Sequence, residues 1–181
     1  QSSHYKTNAS VYPLLNEDEI LSAAQKAADD GAACFGIVSS GTGIDTGWEL
    51  DQLCRVIGKI RNMGVIAPSV SLGTLTESAA IKLKEAGLVT YHHNLETSRS
   101  FFPNVCSTHA YDEDVETVRL AKRFGFRVCC GGLFGLGETM EQRVELAMTL
   151  RELEVDSVPI NFLDPVAGTP MANMSALSPR E

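Results

Sequence analysis

Residues 126–163 read FRVCCGGLFGLGETMEQRVELAMTLRELEVDSVPINFL, and they hold one complete unit of the fold. The apolar run 126–134 has the length and composition of a buried strand. Thr139, with Gln142 three residues on, forms a capping-box pattern that opens a helix through residue 153. A second apolar run, 157–163, is a strand again. A strand, a helix and a strand in that order make a parallel β–α–β crossover.

The same alternation extends toward the N-terminus. A helix is expected over 17–30, capped by Asn16 with Glu19 in the boxing position, followed by a strand over 33–38. Residues 48–63 keep a helical apolar spacing at Leu50, Leu53, Ile57, Ile60 and Met63. A strand over 65–71 precedes a helix opened by Thr74 and Glu77 and closed by Gly87. Residues 88–95 then form a strand, and a helix over 112–124 is closed by Gly125. Five such strands alternating with five helices predict an α/β chain, a parallel βα barrel of TIM-barrel type. No Gly-x-Gly-x-x-Gly opens a helix after the first strand, which disfavours a dinucleotide-binding fold. About five βα units fall short of the roughly eight that close such a barrel, so the expectation is one domain, 1–181, forming the central part of a longer barrel.

The net charge of -8, without a Lys/Arg cluster, argues against a nucleic-acid surface. No apolar run nears the roughly 20 residues that span a bilayer. Five cysteines, an odd number, fit a reducing cytoplasm better than a disulfide framework.

In βα barrels the chemistry collects at the C-terminal ends of the strands. Those ends here carry Ser39 to Gly43, Ser69 to Ser71, His92 to Ser98, Cys129 to Gly132 and Pro159 to Asn161. His92 and His93 are strand neighbours that point to opposite faces, so they do not chelate one ion together. Asn94 and Glu96 share a face at period two, and an amide beside a carboxylate suits recognition of ribose hydroxyls or an amino group. An internal hydrogen-bonded pair is the plainer alternative. Paired thiols at Cys129 and Cys130 suit an iron–sulfur cluster, with glycines behind them where a bulky cofactor would approach the backbone. A thiol alone, such as Cys34, more often packs as a small hydrophobe.

Three stretches, YHHNLETS (91–98), RVCCGGLFGLGET (127–139) and SVPINFLDPVAGTPM (157–171), together resemble the biotin synthases, a family of radical S-adenosylmethionine enzymes. QSSHYKT (1–7) resembles the segment that follows that family's CxxxCxxC motif, whose cysteines hold a 4Fe–4S cluster. The resemblance implies a βα barrel that cleaves S-adenosylmethionine to a 5′-deoxyadenosyl radical. It also implies sulfur insertion into dethiobiotin from an auxiliary iron–sulfur cluster, and a homodimer. Position by position it assigns Asn94 and Glu96 to S-adenosylmethionine and substrate, Asn161 to substrate, Glu138 to the S-adenosylmethionine site and Cys129 to the auxiliary cluster.

The departures are specific. The cysteine triad is absent from residues 1–181, so this segment alone is expected to show no turnover. Gly36 and Ser69 stand where 2Fe–2S members carry cluster ligands, while Cys34 and Cys130 are extra thiols nearby. That pattern implies a variant auxiliary cluster, 2Fe–2S or a 4Fe type using Cys34, Cys129, Cys130 or Cys106. Alternatives are a related radical enzyme of the hydrogenase-maturase or methylornithine-synthase type, or a non-radical barrel enzyme such as an aldolase. The aldolase reading lacks its lysine, since no strand end carries one.

Overall fold

The computed structural model describes residues 5–8 and 10–178. The expected QSSHYKT segment lies in part outside them, since residues 1–4 are not described. The described chain divides into two compact units, one of residues 12–93 and 116–128, the other of residues 5–8, 10–11, 94–115 and 129–178.

The first unit starts with α1 (Glu17–Asp29), whose predicted capping box is present: Asn16 Oδ1 accepts from the Glu19 N–H at 3.0 Å and Glu19 returns the bond. It continues through β1 (Cys34–Val38), α2 (Gly47–Met63), β2 (Ala67–Ser71), α3 (Glu77–Glu85) and β3 (Thr90–His92). Pairs β1–β2 and β2–β3 are parallel, and with β4 (Arg127–Cys129) the sheet order is β1-β2-β3-β4. Strand order that follows chain order is the winding of a barrel; a doubly wound sheet reverses direction at a switch point. The sheet does not close among the described residues.

Helical periodicity explains the packing. Leu50, Leu53, Ile57 and Ile60 recur on one face of α2 and are all fully buried, each stabilising by about 1.5–3 kcal/mol. The helix ends at Gly64, whose φ of 72° places it in the left-handed region that a C-terminal cap requires. Thr76, not Thr74, caps α3; the Thr74 hydroxyl instead donates to the Thr42 carbonyl at 2.8 Å, tying two strand-end loops. Tyr91 is fully buried, where its hydroxyl donates to the Gly73 carbonyl at 2.9 Å, and burial pushes its phenol well up.

The second unit contains a 3-10 turn (Phe102–Asn104), β5 (Gly132–Phe134), α5 (Met140–Glu152) and β6 (Ile160–Phe162), while α4 (Tyr111–Arg123) begins in it. β5 and β6 pair in parallel, with Leu133 opposite Asn161. The Thr139–Gln142 capping box of α5 is present as expected. The strand expected over 126–134 is broken: β4 ends at Cys129 and β5 starts at Gly132. The strand expected over 88–95 is likewise short, with regular pairing confined to Thr90–His92.

Candidate functional site

The break at Cys130 and Gly131 organises the second unit's site. Gly131 donates its N–H to Asn94 Oδ1 at 3.0 Å and accepts the Leu95 N–H on its carbonyl at 3.0 Å. On the opposite side Cys130 donates to the Ser157 carbonyl at 3.0 Å and Gly132 to the Pro159 carbonyl at 3.2 Å. Leu133 donates to the Glu96 carbonyl at 2.7 Å. Segment 129–133 is therefore threaded between 94–96 and 157–159, bonded on both edges.

This threading corrects the expectation about the glycines. Neither Gly131 nor Gly132 has a positive φ, so they do not serve to turn the chain. Nor is the space beside them kept for a cofactor. A Cβ on Gly131 would lie 1.8 Å from the Pro159 carbonyl oxygen, and one on Gly132 would lie 2.6 Å from that of Glu96. Neighbouring backbone fills the place of the missing side chains.

Asn94, Glu96, Cys129, Cys130 and Asn161 all lie on these adjacent segments of the second unit. The Asn94 amide oxygen is committed to Gly131, which orients the amide and leaves its NH2 as the end that can donate to a ligand. Glu96 is exposed and takes φ 62°, a left-handed conformation that strains a non-glycine residue by about 1 kcal/mol. Leu95 between them is fully buried. Strand alternation by itself does not orient Asn94 and Glu96, because β3 ends at His92 and Glu96 is not extended. Asn161 is exposed in β6. His92 is half-buried, which lowers its pKa, with His93 adding a smaller effect in the same direction.

Glu138 does not present its carboxylate to a ligand. Its oxygens accept the N–H groups of Gly135 at 3.0 Å and Leu136 at 2.8 Å, and Arg143 Nε donates to it at 2.8 Å. The Glu138 side chain is 2% exposed and that of Arg143 13%. Burial alone would raise this carboxyl's pKa; the N–H donors of Gly135, its own backbone, Arg143 and Leu136 outweigh it and hold the group below the usual range. Glu138 closes its own loop. Sequence reasoning missed Arg143, five residues on in the first turn of α5, though an arginine there is the available signal.

The thiols separate by burial. Cys130 is 0% exposed, and burial pushes its thiol up to about 12, which makes it a packed protonated side chain in this structure. Cys129 is half-buried, at the end of β4. Cys34 is exposed and belongs to the first unit, where Gly36 and Ser69 are register partners across β1 and β2. The Cys106 sulfur is turned to Thr108 and His109 in its own loop. Among the described residues no group of three or more His, Cys, Asp or Glu is arranged to hold a metal ion. Also among the described residues, no helix is long and apolar enough to cross a membrane.

A family model described as the Radical SAM superfamily matches residues 2–150. The chain belongs to the radical SAM superfamily. The family implies a 4Fe–4S cluster and S-adenosylmethionine. Residues of this superfamily chain are 68% identical over 178 positions to the biotin synthase of Trichlorobacter lovleyi, covering 98% of this chain and 54% of that protein. The biotin synthase of Geobacter sulfurreducens is 61% identical over 181 residues, covering 100% of this chain and 55% of its own length. This radical SAM chain thus spans about half the length of the curated relatives it matches. Among solved structures, methylornithine synthase superposes with a TM-score of 0.82 at 17% identity, over 97% of this chain and 52% of that one. The FeFe-hydrogenase maturase from Carboxydothermus hydrogenoformans gives 0.73 at 18% identity, over 91% of this chain and 40% of that one. At such identities the likeness is one of fold, and it agrees with the barrel-type α/β architecture.

Proposed function

We propose that this chain is the central barrel segment of a biotin synthase, which inserts sulfur into dethiobiotin by radical S-adenosylmethionine chemistry. The observation that carries the proposal is the 68% identity to a biotin synthase over 98% of the chain. The whole of residues 1–181 is read as one functional segment of that barrel, and the enzyme as a homodimer acting on a small-molecule substrate.

The 4Fe–4S cluster and S-adenosylmethionine supply the radical chemistry when bound; the CxxxCxxC spacing that would hold the cluster is absent from residues 1–181. This chain's own residues bind and orient. Asn94, locked by Gly131, donates its amide NH2 to the bound molecules, and the exposed Glu96 carboxylate accepts from their hydroxyl or amino groups. Asn161, beside Leu133, offers an amide to the substrate. Glu138 and Arg143 build the loop that lines the S-adenosylmethionine site. Cys129 is the auxiliary-cluster ligand, and Cys130 packs behind it.

A form carrying the CxxxCxxC segment, reconstituted anaerobically with iron and sulfide, is expected to convert dethiobiotin to biotin when given S-adenosylmethionine and a reductant. Cleavage of S-adenosylmethionine without biotin, together with no dethiobiotin binding, would sink the substrate assignment. In the same protein Cys129→Ala is expected to lose the auxiliary cluster's iron while Cys130→Ala keeps it. Iron counted per protein decides this, and full retention in Cys129→Ala overturns the ligand assignment.

A further inference from the structure

The loop between the 3-10 turn and α4, together with the first turn of α4, holds three side chains that the proposed function does not use. Cys106 Sγ lies 3.4 Å from His109 Nδ1, and His109 Nε2 lies 3.0 Å from Asp114 Oδ2. Thr108 Oγ1 is 3.5 Å from the sulfur and 3.0 Å from the same Nδ1. Asp114 is 4% exposed, whereas Cys106 and the His109 ring are half-buried and within reach of solvent. The ring is held edge-on against Phe102, at 5.6 Å between centroids and 72°.

Each contact has a chemical consequence. A buried carboxylate on Nε2 selects the imidazole tautomer protonated there, so Nδ1 presents its lone pair to the Thr108 hydroxyl at 3.0 Å and the Cys106 thiol at 3.4 Å. If the thiol proton moves to Nδ1, the resulting imidazolium is stabilised by the Asp114 carboxylate on its far side. A nucleophile, a base in hydrogen-bond reach and a third group orienting the base is the general arrangement of an activated thiol. The Cys106 N–H is already donated to the Phe102 carbonyl at 2.9 Å, so it adds no donor for an oxyanion. The chemistry favoured is substitution at sulfur, not acyl transfer.

We infer that Cys106, His109 and Asp114 form a thiol-modification site whose substrate is a small-molecule disulfide. The Cys106 thiolate attacks one sulfur of the disulfide. A new S–S bond forms to Cys106, the disulfide's own S–S bond breaks, and the departing thiolate takes the proton held on His109 Nδ1. The disulfide is reduced to one thiol and one mixed disulfide, and no further oxidant is consumed.

The test uses glutathione disulfide on the full-length protein, with the modified cysteine identified by peptide mass spectrometry. Native Cys106 is expected to react faster than the same residue in the urea-unfolded chain, although folding half-buries it. His109→Gln is expected to slow the native rate about tenfold, as it removes the ring nitrogen 3.4 Å from the sulfur that takes the thiol proton. Cys106→Ser should abolish the adduct and leave the iron content unchanged. A native rate at or below the unfolded rate overturns the proposal without need of any variant. Equal rates in wild type and a folded His109→Gln do the same, and iron lost in Cys106→Ser would make this thiol a cluster ligand instead.

Discussion

Gly131→Ala is expected to cost more than about 3 kcal/mol, a large share of the roughly 5–15 kcal/mol that holds a typical domain together. Overpacked cores usually lose about 1–3 kcal/mol because side chains can rotate away. Here the added Cβ meets the Pro159 carbonyl oxygen at 1.8 Å, and that contact is backbone against backbone. Segment 129–133 cannot retreat without giving up its bonds to Leu95, Asn94, Ser157 and Glu96. Urea unfolding of the full-length protein measures the loss, and ligand affinity should fall with it, because the Gly131 N–H is what orients Asn94. Gly36→Ala is the control: nothing lies within 4 Å of its added Cβ and its φ is not positive, so a change within about 0.5 kcal/mol is expected. Equal stability of Gly131→Ala and wild type would mean that the threading of 129–133 is wrong.

The second large effect belongs to Glu138→Gln, expected to cost about 3–5 kcal/mol, the usual result of removing one member of a buried pair. Gln can offer one acceptor where the carboxylate offers two, and its NH2 would face the N–H groups of Gly135 and Leu136. Arg143, with its guanidinium over the Phe134 ring at 5.0 Å, would lose its charge partner at this position. The pH dependence follows from the direction of the shift. The folded pKa lies below the ordinary glutamate value of about 4.3, so this stabilisation is complete above that value and is lost as pH falls through the folded pKa. The thermal midpoint of wild type should drop over that acid range, and the drop should be smaller in Glu138→Gln. Glu116→Gln provides the contrast, since the Glu116–Arg119 pair is 62% and 59% exposed and contributes about 0–1 kcal/mol. A cost in Glu138→Gln no larger than in Glu116→Gln would contradict the buried-loop role.

The difference between these two glutamates is invisible in the amino-acid sequence. Both have an arginine within five residues downstream, and only the return of the loop onto its own carboxylate buries one of them. The same holds for the two adjacent thiols. Alternation predicts that Cys129 and Cys130 face opposite ways, and their unequal burial agrees, but which one is shut away depends on what packs from outside the strand.

What the sequence determined by itself is the order of elements and the parallel winding. Apolar periodicity, the capping boxes at Asn16 and Thr139 and the glycine after α2 are local signals, set by backbone and side-chain chemistry within a few residues. The motifs YHHNLETS and RVCCGGLFGLGET likewise sufficed to mark the segments that meet in the second unit. Tertiary structure alone decided where the strands stop and what the glycines are for. Strand 126–134 breaks because segments 94–96 and 157–159 press on it from both sides, and no residue within it records their distance. The row of Cys106, His109 and Asp114 is likewise a product of the folded chain, since the turn into α4 is what sets the buried Asp114 carboxylate against His109.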